Sequence, residues 1–228
     1  MKTETENAHR RLRWIILIGL SIAAVGLAFL ADTSVATWIN ANSSAALRRF
    51  MQVVSRVGDW PAHVLLGLVL IAGAWLSGSK RWTRIFLAML IACALAGIVA
   101  RAGKIAIGRP RPSTHIEQTW NGPSLHSRFN AFPSGHTAAS TAFFMTLLLA
   151  AGWRIGMPLL IIPLLIAASR MIVAAHYLSD VIGGFAVGVI AALFVVDWMQ
   201  IQSPRSPIDF DESGSQETWK KFPANYTE

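Results

Sequence analysis

Three short stretches set charges into an otherwise apolar chain: Lys104 to Pro112, Pro133 to His136 and Ser169 to Asp180. Among them they hold three cations (Lys104, Arg111, Arg170), two histidines (His136, His176) and one carboxylate (Asp180). Three fixed positive charges match the charge of about −1.5 to −2 on a phosphate monoester near neutral pH. Two imidazoles add a nucleophile and a proton carrier that work in the same pH range. This is equipment for capturing a phosphate and cleaving it from its ester without a metal.

Each stretch has its own logic. Pro110 and Pro112 stop a helix, so a rigid exit from the membrane aims Lys104 as a point charge and Arg111 as a planar fork at phosphate oxygens; taken singly, the stretch also reads as the basic flank of a membrane helix. Ser134 suits a helix N-cap, and Gly135 lets a ligand approach backbone amides at the helix start. Alone, that turn is an ordinary loop. His176 and Asp180 are four residues apart, so on a helical turn the carboxylate accepts from one imidazole nitrogen and frees the other. Arg170, in an apolar stretch, demands an anionic partner. The plainer reading makes the His and Asp interfacial caps of the last helix. A zinc site of His136, His176 and Asp180 is disfavoured by the three nearby cations, so neither metal nor cofactor is expected.

The elements that position these groups follow from composition. Of 228 residues, 54% are hydrophobic and only 14% charged, which excludes an ordinary soluble domain. A bilayer core needs about 20 apolar residues per helix. Trp14–Ala31, Ala62–Ser77, Thr83–Ala100, Thr137–Ala151, Gly156–Ala168 and Val181–Met199 meet or approach that requirement. The expected fold is therefore all-α: a polytopic bundle of about six transmembrane helices, with a kink or a late start in the fifth at Pro158 and Pro163. The first span is read as an uncleaved helix rather than a signal peptide, because Phe29-Leu30-Ala31 lacks the Ala-x-Ala pattern.

Between the first two spans, Leu47, Phe50, Met51, Val54 and Val57 alternate with Arg48, Arg49, Gln52 and Arg56 at helical spacing. An amphipathic helix follows, either lying at the interface or packed over the bundle. The organisation expected is a cytoplasmic segment 1–13, a six-helix domain 14–200 and a mobile cytoplasmic tail 201–228, acidic at Asp209, Asp211, Glu212 and Glu217. With Lys104, Arg111 and Arg170 set aside, the remaining basic residues favour both termini inside. All three motifs then lie on the outer side. The net charge of +8 is explained by topology and anionic head groups, not by nucleic acid, since no soluble basic face is formed. Cys93 is the single cysteine, so no intramolecular disulfide can form.

Lys104 through Arg111-Pro112, then Pro133-Ser134-Gly135-His136, then Ser169-Arg170 through His176 and Asp180, resemble the tripartite signature of the type-2 phosphatidic acid phosphatase superfamily. The motifs span residues 104 to 180, and the six-helix layout extends the likeness over about 20 to 200. The resemblance implies that His176 attacks phosphorus and becomes a phosphohistidine, that Asp180 orients it, and that His136 protonates the leaving alkoxide and then activates water. It also implies that Lys104, Arg111, Arg170, Ser134 and the Gly135 amide hold the phosphate oxygens. The implied partner is a phosphorylated lipid within the membrane: phosphatidate, phosphatidylglycerol phosphate, undecaprenyl diphosphate or the 1-phosphate of lipid A. The loop from Ser113 to Phe132, with His115, Glu117, Trp120, His126 and Arg128, is expected to shape head-group choice.

Soluble vanadium haloperoxidases carry a similar cage, but the membrane spans argue against that branch. A phosphate-binding transporter or flippase is the alternative from another class; it needs the cations but not a His–Asp pair with an acid histidine. The expected location is a bacterial inner membrane, with the site facing the periplasmic or outer side and both termini cytoplasmic.

Overall fold

The computed structural model describes residues 4–114, 116 and 120–201, and every regular element among them is helical. Eight α-helices follow in order: α1 Glu4–Asn42, α2 Ala45–Val57, α3 Trp60–Leu76, α4 Lys80–Ile107, α5 Gly135–Ala151, α6 Trp153–Leu159, α7 Ile161–Ile172 and α8 Leu178–Trp198. The tail from 202 onward, and His115 and Glu117 of the loop, lie outside the described residues.

All six apolar segments read from the sequence fall on helices, with two differences. The first helix does not stop at Ala31; α1 runs unbroken through Asp32 to Asn42, which carries a carboxylate into the bundle. The fifth segment is divided at Leu160 into α6 and α7, beside Pro158 and Pro163, because a proline removes a backbone donor and crowds the preceding turn. Four stretches are long and apolar enough to cross a bilayer: Ala8–Asn42, Lys80–Thr114, Trp153–Ile172 and Leu178–Trp198. The pair α2–α3, bent by 52°, makes a fifth, and α5 is a shorter apolar helix. Length and apolarity thus support four or five spans where about six were expected.

Local chemistry sets the breaks. Ser44 caps α2, its hydroxyl accepting from the Leu47 amide at 3.2 Å. Asp59 caps α3 by accepting from the Trp60 amide at 2.8 Å. Helix α2 packs along α7 with Ser55 buried, while Phe50, Val53 and Val57 stay exposed. It is therefore joined to the bundle on one side and open on the other.

The centre is built from small residues. Ala88, Ala92, Ala96 and Ala100 repeat every four positions along one face of α4 and meet Ala138 and Ala142 of α5 and Ala191 of α8. Without side-chain bulk, membrane helices approach closely and gain dispersion contacts. The most extensive contact joins α5 and α8, and it is close: a Cβ on Gly184 would stand 2.5 Å from the Ser134 carbonyl oxygen, and one on Gly188 would stand 2.6 Å from Thr141 Cβ. That contact sets the second and third motifs side by side.

Candidate active site

Lys104 occupies the last turn of α4, which ends in left-handed Gly108 (φ 63°), its amide donating to the Lys104 carbonyl at 3.1 Å. A Cβ there would meet the Gly122 carbonyl oxygen at 1.8 Å, so the turn requires glycine. From it the chain runs Arg109-Pro110-Arg111-Pro112. The Arg111 amide donates to the Arg128 carbonyl and the Ala131 amide to the Arg109 carbonyl, both at 3.0 Å. These bonds lay the α4–α5 connection over the helix ends. Lys104 Nζ donates to the Asn130 carbonyl at 2.7 Å, and Arg111 Nε is buried without a partner among the described residues.

Ser134 stands at the N-cap position of α5 with extended backbone, but its hydroxyl does not accept from the helix amides as the N-cap reading implied. It accepts from the Thr137 hydroxyl at 3.0 Å, and its own amide donates to the Asp180 carbonyl at 2.8 Å. Ser134 is fully buried behind Gly135. His136, in the first turn of α5, places Nε2 3.3 Å from Asp59 Oδ1.

Arg170 lies in the last turn of α7. Its Nη1 donates to the Ser55 hydroxyl of α2, and its Nε is buried without a partner among the described residues. Ala174 adopts φ 54°, and the amides of Ala175 and His176 both donate to the Arg170 carbonyl, at 3.1 and 3.2 Å. This tight reversal presents Arg170 and His176 to the same space.

His176 Nδ1 is 3.6 Å from Asp180 Oδ2 and makes no hydrogen bond among the described residues, so the direct bond expected from their spacing is not formed. Asp180 spends its oxygens elsewhere: Oδ1 accepts from Arg109 Nη1 at 2.5 Å and Oδ2 from the Tyr177 amide at 2.8 Å. Burial, reinforced by Lys104, Arg170, Arg111 and His136, holds the His176 imidazole well below its ordinary value of 6.5. The ring is neutral near pH 7.

Three residues were not singled out from the sequence. Arg109 had been counted among topology charges; it is 5% exposed, pairs with both Asp180 and Asp32, and lies 4.5 Å from the Phe29 ring centroid and 4.4 Å from that of Tyr177. Asp32 accepts from Arg109 Nη2 at 2.7 Å, from the Ser179 hydroxyl at 2.6 Å and from its amide at 2.8 Å. Asp59 faces His136. A carboxylate one residue beyond an assigned span was the available signal for Asp32, since such a charge requires a partner.

Lys104, Arg111, Gly135, His136, Arg170 and His176 line one cavity of about 850 Å³. Away from them it continues between Trp60 and Val64 of α3 and Cys93, Ala94, Gly97 and Ile98 of α4. Ser134 and Asp180 stand behind this wall, each fully buried. The arrangement offers a cationic end with unsatisfied arginine donors, a neutral imidazole within it, and an apolar extension.

A family model described as PAP2 superfamily matches residues 83–204. Among curated proteins, the lipid A 1-phosphatase of Rhizobium etli is 29% identical over 195 residues, which cover 78% of this chain and 81% of that protein. The lipid A 1-phosphatase of Rhizobium johnstonii is 38% identical over 96 residues, 40% of this chain and 38% of that one. Among solved structures, the PAP2-type phosphatidylglycerolphosphate phosphatase of Bacillus subtilis superposes with a TM-score of 0.65 at 18% identity, covering 82% of this chain and 95% of its own. LpxE of Aquifex aeolicus does so with a TM-score of 0.57 at 20% identity, covering 73% and 94%.

Proposed function

The chain belongs to the PAP2 superfamily and is a membrane phosphoric ester hydrolase; on that premise we propose that it removes the phosphate of a lipid of the lipid A 1-phosphate type, through a phosphohistidine on His176 and without a metal. The observation that carries this reading is one cavity that joins a cationic end to an apolar slot. A lipid phosphate fits both halves at once: its oxygens meet Lys104, Arg111 and Arg170, and its hydrocarbon lies along α3 and α4. Among the described residues the buried Arg111 Nε and Arg170 Nε lack partners, which phosphate oxygens would supply.

In the first step Nε2 of neutral His176 attacks phosphorus. The nitrogen–phosphorus bond forms as the ester phosphorus–oxygen bond breaks, and His136 gives its proton to the departing oxygen. In the second step His136 takes a proton from water, whose oxygen attacks phosphorus and releases inorganic phosphate and free His176. The arginines and Lys104 stabilise the equatorial oxygens in both transition states. Asp180, on the Nδ1 side of the ring, favours the imidazole carrying its proton on Nδ1 and stabilises the positive charge that develops there.

The test is phosphate release by purified protein from lipid A 1-phosphate, phosphatidate, phosphatidylglycerol phosphate and undecaprenyl diphosphate, with His176→Ala as the control. Expected is turnover that survives EDTA, is blocked by vanadate and vanishes in the variant, with an acid-labile phosphoenzyme in the wild type. Loss of turnover on chelation with recovery on adding zinc would overturn the metal-free route, and turnover that persists in His176→Ala would overturn the nucleophile.

A further inference from the structure

Arg101 is one turn from Lys104 along α4, toward Gly97 and Ile98, and it lines the same cavity. The helical rise of 1.5 Å per residue puts it about 4.5 Å along the axis from Lys104. It thus stands where the cationic end gives way to the apolar slot. Its side chain is exposed to that space and makes no hydrogen bond or ion pair among the described residues. An arginine among apolar neighbours in a membrane helix calls for an anion.

Position points the same way. Among the described residues, Arg101, Lys104, Arg111 and Arg170 are the cations that line the cavity, and Asp59 is the carboxylate on its wall. Asp59 and the net negative triad of Asp32, Arg109 and Asp180 behind the wall leave about the charge that one bound monoester balances. Arg101 is the cation beside Gly97 and Ile98, so a substrate whose terminal phosphate fills the Lys104–Arg111–Arg170 cage and whose hydrocarbon enters the slot carries its leaving group past Arg101.

Resting on the lipid phosphatase reading, we infer that Arg101 forms a second anion subsite, which binds a further phosphate group located between the scissile phosphate and the hydrocarbon. Two kinds of lipid present that chemistry. In a lipid diphosphate it is the proximal phosphate, one P–O–P bridge away; in a phosphoglycerol phosphate it is the phosphodiester. The subsite favours either over a simple monoester, and in the diphosphate it also neutralises charge that builds on the departing phosphate oxygen.

The experiment compares wild type, Arg101→Gln and Arg101→Lys as purified full-length proteins on two matched pairs: farnesyl diphosphate against farnesyl monophosphate, and phosphatidylglycerol phosphate against phosphatidate. In at least one pair, Arg101→Gln should lower the ratio of kcat/KM values by about tenfold, the size expected for one charge-assisted contact, with Arg101→Lys keeping part of it. The affected pair identifies the source of the second anion. Ratios unchanged in both pairs, whether activity falls uniformly or stays the same, overturn the subsite while leaving the phosphatase reading intact. A wild type that releases phosphate from lipid A 1-phosphate but from none of the four lipids overturns the subsite alone; failure on lipid A 1-phosphate as well overturns both.

Discussion

Arg109 donates to Asp180 at 2.5 Å from within the bundle, and Asp180 in turn stands 3.6 Å from His176 without bonding it. The far side of the guanidinium is held by Asp32 of α1 at 2.7 Å. A helix outside the matched family region thereby reaches the proposed nucleophile through two ion pairs. Breaking a buried pair by removing one partner costs about 3–5 kcal/mol, since it strands a charge.

The chain Asp32–Arg109–Asp180 predicts non-additivity. Asp32→Asn should lower kcat in the wild-type background by about tenfold, the worth of a hydrogen bond to a charged group. In an Asp180→Asn background the same change should add little, because the path to His176 is already cut. Kinetics of the four proteins check this; independent effects in both backgrounds would make Asp32 a purely structural residue. Arg109→Leu should lower thermal stability in detergent more than either single carboxylate variant.

The contact between His136 and Asp59 is weaker in kind. Asp59 is 44% exposed, and half-exposed pairs contribute about 0.2–1 kcal/mol. Asp59→Asn should therefore reduce kcat only about two- to fivefold, with partial recovery in Asp59→Glu. His136→Ala should cost about 10²–10⁴ in kcat on lipid esters. With an activated aryl phosphate, which needs no acid for its first step, the same variant should accumulate phosphoenzyme, seen as a burst followed by slow turnover.

His176 supplies a pH prediction. Its folded-state pKa lies below the ordinary 6.5, so below pH 6.5 the unfolded chain binds a proton that the native state refuses. Stability is full above that value and declines as pH falls through 6.5 toward the folded pKa. Thermal unfolding between pH 7.5 and 5 should show a falling midpoint, with a shallower slope in His176→Asn. Nitrogen-15 spectra of the histidine rings should show His176 still neutral at pH 6.5.

Gly184 tests the seam between α5 and α8. In Gly184→Ala the new Cβ meets the Ser134 carbonyl oxygen, which is rigid backbone, so the helices must part. Overpacking of this kind costs about 1–3 kcal/mol. Both the unfolding midpoint and kcat should fall, because Ser134 and Asp180 share the 2.8 Å bond that aligns the second and third motifs.

Six of the residues proposed from the chain line one cavity, and they could be singled out because their meaning is local. A proline ends a helix, a glycine opens a turn, and charges in an apolar run demand partners whatever the fold. The helical class followed from apolar run lengths in the same way, and the break at Pro158 and Pro163 is local too. The partners were not readable. Nothing near Arg109 in sequence distinguishes it from a topology charge; only packing α1 against α8 brings Asp32 and Ser179 to it from 77 and 70 positions away. Likewise Arg170 meets Ser55 across 115 residues. The absence of a direct His176–Asp180 bond also depends on tertiary structure, because Asp180's two oxygens are claimed by a distant arginine and by a helix-capping amide. Side-chain type and spacing singled out the groups proposed to act on a phosphate; helix packing decided which of them touch, since a buried charge takes the partner that the fold delivers.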